Sequence, residues 1–489
     1  MRRLKFRWLI FLLSILSCSN FKPGLRKTII NSRIENLQEA IDSLLSDSLL
    51  ARANVGVKVI SVKTGKTLYA RNAHRLFNPA SNMKLLTTAT SLSVLKPDYR
   101  FKTIVYGDGQ LSNGIMRGSL YIKGFGDPSL TTEDLISIAK RLKRQGILRI
   151  TGNLIADDTY FDNIRLGEGW MWDEKPRKYS ARIGALSVNE NSISIFLKPG
   201  KKAKGPLYTE FNPKTEFVLF QNYGMSGSQD SVEVDRIFAQ GKNIIVVRGI
   251  ISVTNPGRYY TRNLEDPPMY TATLFKECLE KEGINLDGII QLGKLQEEEV
   301  FKLAIHYSKP LFEILYYMEK ESSNFVAEQL LKTIGASVKG EPGTSKKGLE
   351  AIEEFLMTIG ILPDRYKGAD GSGLSRYNLI SPSDIVTLLK YMYRDFELQP
   401  EYTSLLPIGG IDGTLKNRMH TIQRKVRAKT GTMRGVSCLS GYVVTSDSEV
   451  LAFSMMMNNY LGRAESIQKI QDEIVYLLAT FSRKKKPRN

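Results

Sequence analysis

The stretch KVRAKTGTM (425–433) is followed by SCLSGYVVTS (437–446) and EVLAFSMMMNN (449–459). Each is a run of strand length bounded by Gly, Asp or Asn, so three consecutive strands joined by short turns are expected, paired antiparallel. Lys429-Thr430-Gly431 lies inside the first of them. A cation, a hydroxyl and a residue without a side chain on one strand suit a substrate carboxylate and close approach of its backbone. This strand is expected to be central or near-central in the sheet. The same triplet also occurs as Lys63-Thr64-Gly65, between NVGVKVISV and TLYARNA. There it reads as a hairpin loop in which Gly65 takes a positive φ, and no chemistry is assigned to it.

Around these strands the chain reads as helices. Ile34, Leu37, Ile41, Leu44 and Leu45 recur at helical spacing, as do Ile467, Ile470, Ile474, Leu477 and Leu478 near the end. The first and last helices are placed to cover one face of the sheet together. SPSDIVTLLKYMY opens with Ser381 as N-cap, Pro382 in the first turn and Asp384 at the third position. Between 97 and 300 the texture changes to short alternating segments such as FKTIVYG, GSLYIKG and NIIVVRGII, separated by Gly, Asn, Asp and Pro. One amphipathic helix, TTEDLISIAKRLKRQG, interrupts them. The expected fold class is α+β, an antiparallel sheet covered by helices carrying a large, mainly β insertion. The expected division is a discontinuous unit of 27–96 and 301–482, with 97–300 forming inserted domains, two in number, and 483–489 a basic tail.

With 489 residues the chain should hold more than one core, at roughly 150 residues per domain. The net charge of +19 suits an anionic partner. No zinc-ligand cluster, RNP-like aromatic segment or Walker loop is present, so nucleic acid is not the expected partner. Histidines stand only at 74, 306 and 420, with no HExxH, so no metal is expected. MRRLKFR and WLIFLLSIL form a basic region and an apolar run, too short to span a bilayer at about 20 residues. Residues 1–18 therefore read as an export signal. ILSC (15–18) resembles a bacterial lipoprotein cleavage box with Cys18 as the lipidated residue, a membrane attachment by lipid. Cys278 and Cys438 read as buried free thiols.

Two further motifs are candidates for the chemistry. Ser81 follows Pro79 at the start of the helix containing Met83, Leu85, Leu86 and Leu92, and Lys84 lies one turn on. A serine hydroxyl becomes a nucleophile when a neighbouring base takes its proton, and lysine can be that base when burial or a second cation lowers its pKa. Ser-x-x-Lys also starts at Ser19, Ser93, Ser137, Ser466 and Ser482, so context singles out Ser81. Ser322-Ser323-Asn324 joins two helices and can present a hydroxyl and a carboxamide to a cleft; Ser-x-Asn recurs at Ser187-Val188-Asn189, so the triplet alone does not mark a site.

In this order, on these elements, the three motifs resemble the class C low-molecular-mass penicillin-binding proteins (the penicillin-binding protein 4 type), serine D-alanyl-D-alanine carboxypeptidases and endopeptidases. GFGDPSL (124–130), GNLIADDTYFD, GALSVNENSISI, GADGSGLSRYNLISPSD (368–384) and LPIGGIDGTLKNRM (406–419) extend the resemblance. So does the long gap between Lys84 and Ser322, where this family carries an inserted pair of domains. The resemblance implies that Ser81 attacks the penultimate D-Ala carbonyl with Lys84 as base. Ser322 relays a proton to the leaving nitrogen, and Asn324 orients substrate and Lys84. Lys429 and Thr430 hold the terminal carboxylate, with Gly431 and Thr432 beside them on the strand. Backbone N–H groups of Ser81 and Thr432 form the oxyanion hole. No cofactor is implied; the substrate is peptidoglycan stem peptide, β-lactams are covalent inhibitors and the site of action is the bacterial periplasm. The alternatives are a β-lactamase, which uses the same parts for acylation, and a non-catalytic cell-wall-binding protein. DGSGLSR (370–376) reads as a loop at the cleft rim, and Asp157 and Asp158 as a strand-end turn rather than a substrate contact.

Overall fold

The computed structural model describes residues 23–174, 176–202, 204–296 and 300–484, with side chains from Ser32 onward apart from Trp172. The signal segment with Cys18 and the tail beyond Lys484 lie outside the described residues.

A five-stranded antiparallel sheet organises the first unit. Its order is Thr67–Arg71, Asn54–Ser61, Val450–Asn458, Val436–Val444, Val426–Met433. Both faces are covered. Leu439, Val443, Phe453, Met455 and Met457 pack under the helices Pro23–Leu45 and Ala464–Thr480, against Leu37, Ile41, Ile467, Ile474 and Leu478. The residues of opposite parity, Cys438, Tyr442, Ala452 and Met456, face a helical layer that includes Lys84–Leu95, Leu311–Glu321, Asn324–Lys339 and Pro382–Arg394. Burial on both faces explains why these strands are near-continuous apolar runs rather than alternating ones. The first and last helices do share one face, and Cys278 and Cys438 are buried free thiols.

The strand carrying Lys429 is an edge strand, not a central one. Within the sheet it pairs only with Val436–Val444, and the first hairpin occupies the opposite edge. Alternation along a strand reports its two faces but not its neighbours, so edge position was not readable from the pattern. The other Lys-Thr-Gly does lie in the turn between Asn54–Ser61 and Thr67–Arg71, with Gly65 at φ 74°.

The insertion is built mainly from short strands in several sheets. The largest has the order Ile290–Leu292, Leu154–Asp157, Leu120–Gly124, Lys102–Gly107, Phe301–Tyr307. Phe301–Tyr307 was expected beyond the insertion but pairs antiparallel with Lys102–Gly107, so the chain leaves this sheet at Ser308. The helix Thr132–Arg144 forms as read, with a reciprocal capping box between Thr131 and Asp134. A second helix, Pro267–Lys281, was not anticipated. It buries Tyr270, Ala272, Leu274, Phe275, Cys278 and Leu279, so it shows no clean polar stripe, and its opening Pro-Pro imitates a break although proline suits a first helical turn.

Gly441 sits in the strand next to the edge strand, where a Cβ would lie 2.2 Å from the Arg427 carbonyl oxygen and 2.6 Å from Ala428 Cα. Both are backbone atoms, so nothing nearby can rotate away. Gly441→Ala should therefore destabilise the protein by about 1–3 kcal/mol, the usual range for overpacking. Equilibrium urea unfolding measures this, and an unchanged midpoint would contradict the close packing of the edge strand.

Candidate active site

Ser81 sits in a 3₁₀ turn, Ala80–Met83, that runs directly into the helix Lys84–Leu95. The reading of Ser81 in a first helical turn thus becomes a tighter turn, which places the serine at the helix's positive end. Ala80 holds φ 45°, an unfavourable value for a residue with a Cβ. The turn is held by Asn78, whose Oδ1 accepts from Ala80 N–H at 2.9 Å and whose Nδ2 donates to the Ser375 carbonyl at 3.2 Å.

Lys84 is fully buried. Its Nζ donates to Asn324 Oδ1 at 2.6 Å and the Ser372 carbonyl at 2.7 Å, and lies 3.2 Å from Ser81 Oγ. Burial, then the charge of Lys429, bring its pKa down to about 7 against the pull of Asp370, Glu319 and Glu328. In the neutral amine two N–H donors serve the two short contacts, and the lone pair is left for the Ser81 hydroxyl. Lys429 is also fully buried. It donates to Ser322 Oγ at 2.8 Å and the Glu319 carbonyl at 3.3 Å. Burial lowers it to about 8, partly opposed by the Glu319 carboxylate.

The helix Leu311–Glu321 ends at Ser322, which adopts φ 59° and ψ 40°, and the next helix starts at Asn324. Ser323 is its N-cap, accepting from Val326 N–H at 3.3 Å. Asn324 Nδ2 donates to the Tyr179 carbonyl of the insertion at 3.0 Å, which leaves Oδ1 to face Lys84. Ser81, Lys84, Ser322, Asn324 and Lys429 thus meet in one cluster, brought there by the serine turn, three helices and the edge strand.

Gly431 is where the edge strand passes the serine turn. A Cβ there would stand 2.7 Å from the Pro79 carbonyl oxygen and 3.0 Å from Ala80 Cβ. Asn82 Nδ2 ties the two elements, donating to the Lys429 carbonyl at 3.2 Å. Thr430 Oγ1 donates to Thr414 Oγ1 at 2.7 Å, and Thr432 Oγ1 accepts from Gln468 at 3.4 Å. On the outer edge, Ala428 N–H donates to the Pro407 carbonyl and the Val426 carbonyl accepts from Gly409 N–H. The register runs unbroken to Met433, so the N–H and C=O groups of Thr430 and Thr432 point to the same open edge.

Several residues here carry no sequence signal. Glu328, fully buried, accepts through Oε1 from the N–H groups of Gly371 and Ser372 at 3.0 and 2.9 Å, and burial pushes its carboxyl up to about 8. Asp370 accepts from Gly373 N–H, Ser375 N–H and Asn378 Nδ2, each at 2.7 Å, and from the Trp170 indole at 2.9 Å. Together they shape the loop 370–376 so that the Ser372 carbonyl meets Lys84. Lys320 anchors the 406–419 segment through the Leu406 carbonyl at 2.7 Å and Asp412 at 2.8 Å. Asp157 and Asp158 are buried within the insertion. Asp157 accepts from Thr159 and Leu295 N–H groups, each at 2.9 Å, and Asp158 binds Arg165 and Leu186 N–H. Among the described residues no group of His, Cys, Asp and Glu is placed to hold a metal ion.

The profile of the D-Ala-D-Ala carboxypeptidase 3 (S13) family matches residues 37–481. A D-alanyl-D-alanine carboxypeptidase of Actinomadura sp. (strain R39) is 36% identical over 471 residues, covering 92% of this chain and 86% of its own. The D-alanyl-D-alanine carboxypeptidase DacB of Haemophilus influenzae is 28% identical over 87% of this chain and 90% of its own. The crystal structure of penicillin binding protein 4 from Haemophilus influenzae superposes with a TM-score of 0.80 at 26% identity, covering 90% of this chain and 99% of that one. The same protein complexed with a β-lactam superposes at 0.76.

Gly373 has φ 83°, and a Cβ on it would lie 1.9 Å from the Ala80 carbonyl oxygen. Gly373→Ala must therefore push the loop 370–376 and the serine turn apart, separating Ser372 from Lys84. Acylation of Ser81 by a serine-directed reagent, followed by mass spectrometry, should slow at least tenfold. Wild-type labelling kinetics would show that the contact does not hold the two elements together.

Proposed function

The chain belongs to the D-Ala-D-Ala carboxypeptidase 3 (S13) family, a family of serine-type carboxypeptidases, and from that premise we propose that it cleaves D-alanyl-D-alanine termini or D,D-cross-links of peptidoglycan through an acyl-enzyme on Ser81. The observation that carries this reading is Lys84: an ammonium site with no solvent exposure and no carboxylate bound to it, 3.2 Å from the Ser81 hydroxyl and beside a second buried lysine.

The steps follow from the groups present. Neutral Lys84 takes the proton of Ser81 Oγ as the Oγ–C bond forms to the penultimate D-Ala carbonyl carbon. The oxygen of that carbonyl, now negative, is held by the N–H groups of Ser81 and Thr432, the latter on the open strand edge. The C–N bond then breaks. The leaving amine nitrogen takes up the proton through Ser322, and water later hydrolyses the ester and frees the serine. Protonated Lys429, with Thr430, holds the terminal carboxylate of a carboxypeptidase substrate; the extended peptide lies along the strand edge, where Gly431 leaves room. Asn324 keeps Lys84 aimed at Ser81. A β-lactam presents a carbonyl and a carboxylate at comparable spacing and acylates the same serine.

Peptidoglycan lies outside the cytoplasmic membrane, so the enzyme acts on the extracytoplasmic side. We assign residues 1–18 to export and Cys18 to lipidation on the basis of the sequence motif. The basic surface suits a carboxylate-rich polymer.

Intact-mass measurement after treatment with penicillin should show one covalent adduct, mapped to the peptide containing Ser81. Ser81→Ala should abolish both the adduct and D-Ala release from a pentapeptide, and retention of either removes Ser81 from the role of nucleophile. The pH dependence is a second check. Lys84 must be unprotonated to accept the Ser81 proton, so acylation by penicillin should rise as pH passes about 7. Lys429 must keep its proton to hold a carboxylate, so the rate should fall above about 8. Lys429→Arg, which stays charged, should remove the falling limb. A rate flat from pH 6 to 9 would exclude both lysines from these roles.

A further inference from the structure

The insertion reaches the catalytic cluster through a short segment, 178–191, whose backbone is unusual. Asn189, Glu190 and Asn191 hold φ of 52°, 51° and 48° in succession. Three neighbouring left-handed residues with side chains are unfavourable and persist only where the surroundings hold them. Here the outer two are the anchors. Asn189 exchanges two hydrogen bonds with Thr132, its Nδ2 donating to Thr132 Oγ1 at 2.8 Å and its Oδ1 accepting from Thr132 N–H at 3.2 Å. Asn191, fully buried, donates to the Arg182 carbonyl at 2.7 Å and to Ser187 Oγ at 2.9 Å.

Glu190, between them, is thrust out of the insertion onto the helix junction that carries Ser322 and Asn324. Its Oε2 accepts from Ser323 Oγ at 3.0 Å. Its Oε1 accepts from the Tyr317 hydroxyl at 2.7 Å and pairs with Lys178 Nζ at 2.7 Å. Tyr317 belongs to the helix that ends at Ser322, and Ser323 caps the helix that begins at Asn324. One carboxylate therefore holds both sides of the junction. Lys178 in turn fixes its neighbour Tyr179, whose carbonyl takes the Asn324 amide.

We propose that Glu190 is a positioning residue for acylation: by holding Tyr317 and Ser323 from the insertion, it sets the left-handed Ser322 and the orientation of Asn324, and so makes the insertion part of the catalytic apparatus. The chemistry invoked is neutral-to-anion hydrogen bonding with no proton transferred. A residue that served only to dock the insertion would change stability. Glu190 as a positioning residue changes the acylation step itself.

The inference rests on the roles proposed above for Ser322 and Asn324, and the test separates the two. In the full chain, Glu190→Ala should slow the first-order acylation step by penicillin roughly 10- to 100-fold, the range for losing hydrogen bonds to a charged group. The dissociation constant of the preceding non-covalent complex should stay within about twofold of wild type. Glu190→Gln, whose amide oxygen still accepts from one of the two hydroxyls while its NH2 donates to the oxygen of the other, should recover most of the rate. Ser323→Ala removes one of these contacts from the other side, and the double variant should be no slower than the slower single, because the bond Ser323 loses is already lost in Glu190→Ala. A wild-type acylation rate in Glu190→Ala overturns the proposal, as does full additivity of the pair. If Glu190→Ala does not fold, a wild-type rate in both Ser323→Ala and Tyr317→Phe overturns it instead. If Ser81→Ala still acylates, the reading of the active site falls; if Ser81→Ala is inert and Glu190→Ala is fast, only the present inference does.

Discussion

Two lysine side chains buried in one cluster, neither paired with a carboxylate, set the terms for the rest of the structure. Lys84 and Lys429 make their hydrogen bonds to neutral oxygens: Asn324, Ser372 and Ser81 for one, Ser322 and a main-chain carbonyl for the other. Burying an unpaired ammonium costs several kcal/mol, and a group in that position relieves the cost by shedding its proton. The acids around them respond to the same force in the opposite sense. Glu328 is pushed up to about 8 and the fully buried Glu319 is also raised, each by loss of solvent. Burial therefore drives bases and acids together towards their neutral forms. An amine in such a setting can serve as a base near neutrality without a histidine, the role proposed for Lys84.

That electrostatic arrangement demands accurate packing, because neutral-oxygen contacts only work at hydrogen-bond distance. The glycines mark where it is enforced. At Gly431 and Gly373 the edge strand and the loop 370–376 come so close to the Pro79–Ala80 backbone that no Cβ fits. Ala80, beside Ser81, and Ser322 both hold positive φ although they carry side chains. Strain at these two positions is stabilised by neighbours: Asn78 brackets the first, and Glu190 with Tyr317 brackets the second.

What could be read from the chain beforehand divides along physical lines. The strand runs 425–459, the terminal helix and the Ser381 cap are local patterns, and they formed as read. The three motifs were legible because their order and element types matched a family. The edge position of the Lys429 strand was not, since pairing order is a long-range property that side-chain alternation does not encode. The helix Pro267–Lys281 was missed because burial around much of its circumference removes the amphipathic stripe. Glu328 and Glu319 look in sequence like ordinary helix-surface acids. Only the fold reveals that Glu328 binds the loop 370–376 and that Glu319, bonded through its carboxylate to Thr88, is buried within reach of the charges of both lysines.

The two Lys-Thr-Gly triplets show why burial, rather than composition, confers chemistry. Lys63 is exposed in a hairpin turn, its amine in water. Lys429 has the same neighbours in sequence but no solvent access, with Ser322 Oγ at 2.8 Å and its charge close enough to lower the pKa of Lys84. The difference is made by elements distant along the chain: the helix end at Ser322, the turn at Pro79 and, through Tyr179 and Glu190, the insertion. The interposed β-rich segment returns at Ser308, immediately before the helix Leu311–Glu321 whose end presents Ser322. A chain that leaves after Lys84 and comes back just before Ser322 necessarily stands beside both, and its contacts with Asn324, Ser323 and Asp370 show that it uses that position to shape the site.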